Sequence, residues 1–112
     1  MNGAIIPVDD VIYSNDSTPI GYYGNKTLYR MVVNFGAVSA DTDTIILNDA
    51  SIANSDIVSL TGTGKQSDNS IVSLGHYYGT TSYSALWINN SKVYVKSKVA
   101  LTGGYFTLIY AK

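Results

Sequence analysis

Between residues 27 and 35, Tyr29, Met31, Val33 and Phe35 interleave with Leu28, Arg30, Val32 and Asn34. A period of two belongs to a β-strand, whose successive side chains point to opposite faces. The first set is the more uniformly large and apolar, so it is predicted to face a core. Similar short alternations recur along the chain. No segment sustains apolar residues at i, i+3, i+4 and i+7, as an amphipathic helix would require.

The turns divide these runs into strands. Residues 20–23 and 27–35 are predicted to form a hairpin around Gly24-Asn25, because Gly and Asn tolerate the positive φ of tight hairpin turns. Upstream, residues 1–10 read as a lead-in, where Pro7 and the pair Asp9-Asp10 argue against a central strand. Val11-Ile12-Tyr13 reads as a short strand and residues 14–19 as a loop. Further strands are expected at 44–47, at 56–64 paired with 70–76, at 83–88 paired with 92–98 through Asn89-Asn90-Ser91, and at 104–110. Tyr83, Ala85 and Trp87 share one face; Ser84, Leu86 and Ile88 share the other. Val93 and Val95 alternate with Lys92, Tyr94 and Lys96. Trp87, in mid-strand, is expected in the core. About eight antiparallel strands with hairpin connections imply an all-β fold, a sandwich or small barrel, with residues 11–112 as a single domain. Extra Tyr and Leu on the second strand faces suggest a further buried surface, such as one against a neighbouring copy.

Composition adds to this picture. In 112 residues, 46% are hydrophobic, enough for one core without disulfides. Only 13% are charged, against roughly 25% in ordinary soluble domains. The polar surface must therefore come from Ser, Thr, Asn and Gly, which suits a protein assembled with other chains. The net charge is −1, and no basic cluster of the kind nucleic acid requires is present. Lys92, Lys96 and Lys98 are the densest group and read as a solvated face. With no cysteine, neither a disulfide framework nor a thiolate metal site can form. No apolar run has the length of a membrane-spanning helix, and residues 1–7 lack the basic and long apolar regions of a secretion signal.

Candidate chemistry is sparse. His76 is the one histidine, and no Gly-x-Ser-x-Gly elbow accompanies it. Residues 61–67 resemble a phosphate loop only superficially: Ser59 stands where its first glycine belongs, and Gln66 follows Lys65 in place of Ser or Thr. Gly62 and Gly64 are instead expected to end a strand and open its loop. Asp41, Asp43 and Asp49, with Asn48, resemble fragments of an oxygen-ligand set, but the chain contains no Glu to complete an EF-hand. No enzyme activity, metal or cofactor is expected. Asn15-Asp16-Ser17, Asn25-Lys26-Thr27 and Asn89-Asn90-Ser91 match the glycosylation acceptor, which matters only in a eukaryotic secretory setting. The suggestive class is aromatic. His76, Tyr77, Tyr78 and Tyr83 lie in or beside a Gly-bounded, hydroxyl-rich segment. Such residues are candidate glycan contacts, or they cover the core edge or pack against another subunit.

Val11-Ile12-Tyr13-Ser14, followed by Gly21-Tyr22-Tyr23-Gly24-Asn25-Lys26-Thr27-Leu28-Tyr29-Arg30, resembles a motif of bacteriophage tail-fibre and head-fibre C-terminal domains. The closing strand, ending Leu108-Ile109-Tyr110-Ala111-Lys112, is similar to that family's aromatic-rich ending in Tyr-Thr-Lys. Here Tyr22 replaces the usual Trp, Gly24-Asn25-Lys26 replaces an Asp-Gly-Lys turn, and Ala111 replaces Thr. The resemblance covers the two ends, about a third of the chain. It implies a homotrimeric virion-surface module in which Tyr22, Lys26, Tyr29 and Arg30 are structural, and it carries over no catalytic or receptor residue. The expected partners are copies of the chain, other virion proteins and host surface polysaccharide, without nucleic acid or membrane insertion. A free-standing carbohydrate-binding module and a capsid decoration protein are the competing readings.

Overall fold

The computed structural model describes residues 17–77 and 83–112, with His76 and Tyr77 placed by their backbone pairing. The lead-in at 1–10 and the strand expected at 11–13 lie outside the described residues. Nine strands follow in order: β1 (Thr18–Tyr23), β2 (Lys26–Phe35), β3 (Thr44–Asn48), β4 (Asp56–Lys65), β5 (Ile71–Ser73), β6 (His76–Tyr77), β7 (Tyr83–Asn89), β8 (Lys92–Ser97) and β9 (Gly103–Ala111). They form two sheets, ordered β1-β2-β9-β4-β5 and β3-β8-β7-β6. All pairings are antiparallel. The fold is an all-β sandwich, as the alternation predicts.

The predicted hairpins form around the expected residues. Tyr23 pairs with Lys26 across a two-residue loop. Gly24 there has φ +64°, the positive value that a II′-type turn demands at its first central position. Asn89 pairs with Lys92 across Asn90-Ser91, and Asn90 takes φ +57°, which Asn tolerates better than most residues. Pro19 differs from expectation. It lies within β1, which is an edge strand, where a residue without an N–H costs no ladder bond if its N side faces away.

The inward face of β2 is the one the alternation selects. Met31, Val33 and Phe35 are buried, and Tyr29 packs on them. They meet Phe106, Leu108 and Tyr110 of β9 and Val93 and Val95 of β8, so both sheets contribute to one core. A bulge between Ile45 and Leu47 inserts Ile46 into β3. It lets Ile46 and Leu47 both pack on the core and leaves Ile45 half exposed on the outside.

Two rows across the larger sheet explain Gly62 and Gly64, which lie inside β4 and do not open its loop. Val33, Phe106 and Gly62 form one row; Phe35, Gly104 and Gly64 form the next. A Cβ on Gly62 would fall 2.9 Å from Phe106 Cβ and 2.7 Å from the Tyr105 carbonyl oxygen. The missing side chain of Gly62 makes room for Phe106, and that of Gly64 for Leu101, whose Cδ1 would lie 2.7 Å from an added Cβ.

The run at 70–76 is not one strand. Residues 71–73 belong to the larger sheet and 76–77 to the smaller, with a turn at Leu74-Gly75 between them. Leu74 N–H donates to Gly62 O at 2.9 Å in the larger sheet, and Gly75 N–H donates to Ser84 O at 2.9 Å in the smaller. Gly75 takes φ +90°, a conformation open to glycine. Beside this crossing the buried Ser84 hydroxyl donates to Ser73 O at 2.7 Å, bonding one sheet to the other.

Tyr29 stacks on Tyr110 with centroids 5.4 Å apart, and the Tyr110 hydroxyl is hydrogen-bonded to Ser17 Oγ at 2.6 Å. Tyr29→Ala is expected to cost roughly 2 kcal/mol, less than a fully buried aromatic because the ring is half exposed. Thermal unfolding checks this, and an unchanged midpoint would show that the ring adds nothing to the packing.

Candidate functional site

The strand β7 is paired on both sides, by β8 and β6. Its Ser84, Leu86 and Ile88 turn inward: Ser84 is buried, and Leu86 and Ile88 pack on the core. Tyr83, Ala85 and Trp87 therefore lie on the outer face. Trp87 is thus not a core residue, contrary to expectation. The register explains why. The two-residue loop sets Leu86 opposite Val95 and Ile88 opposite Val93, and both valines are fully buried. Side chains directly opposite across a pair share a face, so Trp87 must share the outer one with its partner Tyr94. The two rings stack, 5.2 Å between centroids and 5° from parallel.

The small methyl of Ala85 sits between two large rings on the same face. Tyr83 and Trp87 are four residues apart along the strand, about 13 Å at the usual rise. The result is an open trough of about 640 Å³ lined by Tyr83, Ala85, Trp87, Gly75, Lys96 and Asp43. Lys96 stands opposite Ala85. Its Nζ lies 5.9 Å from the centroid of the Tyr83 ring and 3.8 Å from Asp43 Oδ1. That is the edge of the range for cation–π attraction and well beyond the 2.7–2.9 Å of a direct charge-assisted hydrogen bond. Both groups keep donor and acceptor positions to offer a ligand. The trough thus combines flat apolar surface with one cation and one carboxylate.

Of the candidate glycan contacts, Tyr83 forms one end of the trough. Tyr77 is paired opposite Tyr83, and His76 opposite Ser84; Tyr78 lies outside the described residues. Sequence reading assigns Trp87 to the core, Lys96 to a solvated face and Asp43 to a fragmentary oxygen-ligand set, and does not bring them together with Tyr94 as one site. The signal was present in the loop length, which brings Trp87 onto the lysine-bearing face. The motif residues lie on the larger sheet, away from the trough. Tyr22 is 82% exposed on β1, Lys26 pairs with Asp56 at 2.7 Å, Tyr29 stacks on Tyr110, and Arg30 is exposed on the outer side of β2.

Asp49 accepts hydrogen bonds from the N–H and hydroxyl of Ser51, and Asp43 faces Lys96. Among the described residues no three His, Asp, Glu or Cys side chains are grouped to hold a metal ion. No helix among them is long and apolar enough to cross a membrane. Comparison with protein-family models, with curated proteins and with solved structures found no match to this chain.

Proposed function

We propose that this chain is a structural and adhesive module of a bacteriophage virion, part of a fibre tip, head fibre or similar surface appendage. It assembles as a homotrimer, catalyses no reaction, and offers its outer surface to glycans of the host cell. The observation that carries this reading is the meeting of two separated pieces of sequence. The motif ending Leu28-Tyr29-Arg30 and the closing strand lie at opposite ends of the chain, yet β2 and β9 pair continuously from Leu28↔Ala111 to Phe35↔Gly104. The two resemblances therefore form one physical unit at the centre of the larger sheet, as a shared structural signature should.

Two further features support assembly and adhesion. The outer face of the larger sheet carries Leu28, Val32, Tyr105 and Ile109 among threonines, with Arg30, Lys65 and the Lys26–Asp56 pair as its charges. A sparsely charged sheet face of this kind suits contact with another copy. Copies held together multiply a weak single-site affinity through effective concentration.

Sedimentation of the purified chain tests the reading. A mass three times that of the 12.0 kDa chain is expected. A monomer at every concentration would contradict the assembly, and a monomer that binds sugar would favour a free-standing carbohydrate-binding module.

A further inference from the structure

We propose that the trough on the outer face of the smaller sheet is a saccharide-binding site, in which the Trp87 and Tyr83 rings stack on sugar rings and Lys96 and Asp43 hydrogen-bond their hydroxyl groups. This deepens the adhesive reading above and rests on it. The ligand class is an uncharged oligosaccharide.

The first argument is where the tryptophan stands. The chain has one Trp, and burying such a ring would add more to the core than burying most other side chains. It lies instead on the outer face, while the inward positions of the same strand go to Ser84, Leu86 and Ile88. The second is shape. Ring, methyl and ring at residues 83, 85 and 87 give a floor with an aromatic wall at each end, and the volume falls within the usual range of ligand sites. A spacing of about 13 Å between the walls suits a chain of linked sugars rather than a single one. The third is charge. Lys96 and Asp43 are close enough to offset each other yet not joined by a tight bond. Donor and acceptor side by side match vicinal hydroxyls, and the offset charges leave no net attraction for an acidic sugar or a phosphate chain.

The unique Trp makes the site its own reporter. The full chain is titrated with uncharged oligosaccharides of glucose, galactose, rhamnose and N-acetylglucosamine, and with sialylated and sulfated counterparts, while Trp87 emission is followed. At least one uncharged oligosaccharide is expected to change the emission saturably, with its monosaccharide about tenfold weaker or worse. By calorimetry, Tyr83→Ala, Trp87→Ala and the trough-filling Ala85→Arg are each expected to weaken binding by at least about tenfold, with the unfolding temperature retained in Ala85→Arg and Tyr83→Ala. Three outcomes overturn the proposal: no response to any uncharged sugar, binding that survives all three substitutions, or Trp87 emission that changes with protein dilution instead of with sugar, which would assign the trough to a second copy. The oligomeric mass is read separately, so a trimer without sugar binding would sink the site and leave the assembly standing.

Discussion

Phe106→Ala is expected to lower the stability of the fold by roughly 3–5 kcal/mol, the cost of removing a fully buried aromatic that its surroundings cannot replace. Phe106 has no solvent exposure. It lies on the central strand of the larger sheet, opposite Val33 on one side and Gly62 on the other. Gly62 has no side chain to move into the space, so the cavity stays open. At about 4–8 °C per kcal/mol for a domain near this size, the unfolding midpoint should fall by more than about 10 °C. Calorimetric or circular-dichroism melting reads it. A fall of only a degree or two would mean that the two sheets do not close over this ring.

Gly104→Val tests the same interface from the opposite direction. A Cβ at residue 104 would lie 2.7 Å from Phe35 Cζ and 2.9 Å from Gly64 Cα, and would press on the Thr63 carbonyl oxygen. The Phe35 ring has some freedom to turn, but the neighbouring backbone of β4 is fixed by its ladder with β9. Overpacking costs about 1–3 kcal/mol and more where backbone must shift, so a loss of roughly 3 kcal/mol or greater is expected. Chemical denaturation measures it. A variant as stable as the parent would show that the strands near Gly104 are farther apart than this register implies.

These two positions also show what can be read from sequence and what cannot. Alternation in β2 named Met31, Val33 and Phe35 as a core face because one set was clearly the more apolar. The same logic is ambiguous in β7, where Tyr83, Ala85 and Trp87 are as apolar as Ser84, Leu86 and Ile88. Parity alone does not say which set faces in. The decision comes from the neighbour: Val93 and Val95 alternate with lysines, so their inward direction is clear, and the length of the Asn90-Ser91 loop transfers it to β7. Trp87 reads as core from its place in mid-strand, and only the register with Tyr94 turns it outward. A single strand over 70–76 is what the local pattern predicts, while the change of sheet lies in the φ of Gly75. Gly62 and Gly64 resemble loop residues because nothing local reveals that Phe106 lies over the first and Leu101 over the second; that depends on residues distant in sequence. Of the trough, Tyr83 was legible as an aromatic beside a Gly-rich segment. Asp43 was not, since it comes from the loop before β3 and reaches Lys96 only after that strand pairs with β8.

Mass spectrometry of purified phage particles, encoded by the genome that carries this chain, tests the central reading most directly. The chain should be recovered from washed virions in a copy number divisible by three, and antibody against it should label the particle surface. Its absence from intact particles, with the protein found only free in the lysate, would contradict the account.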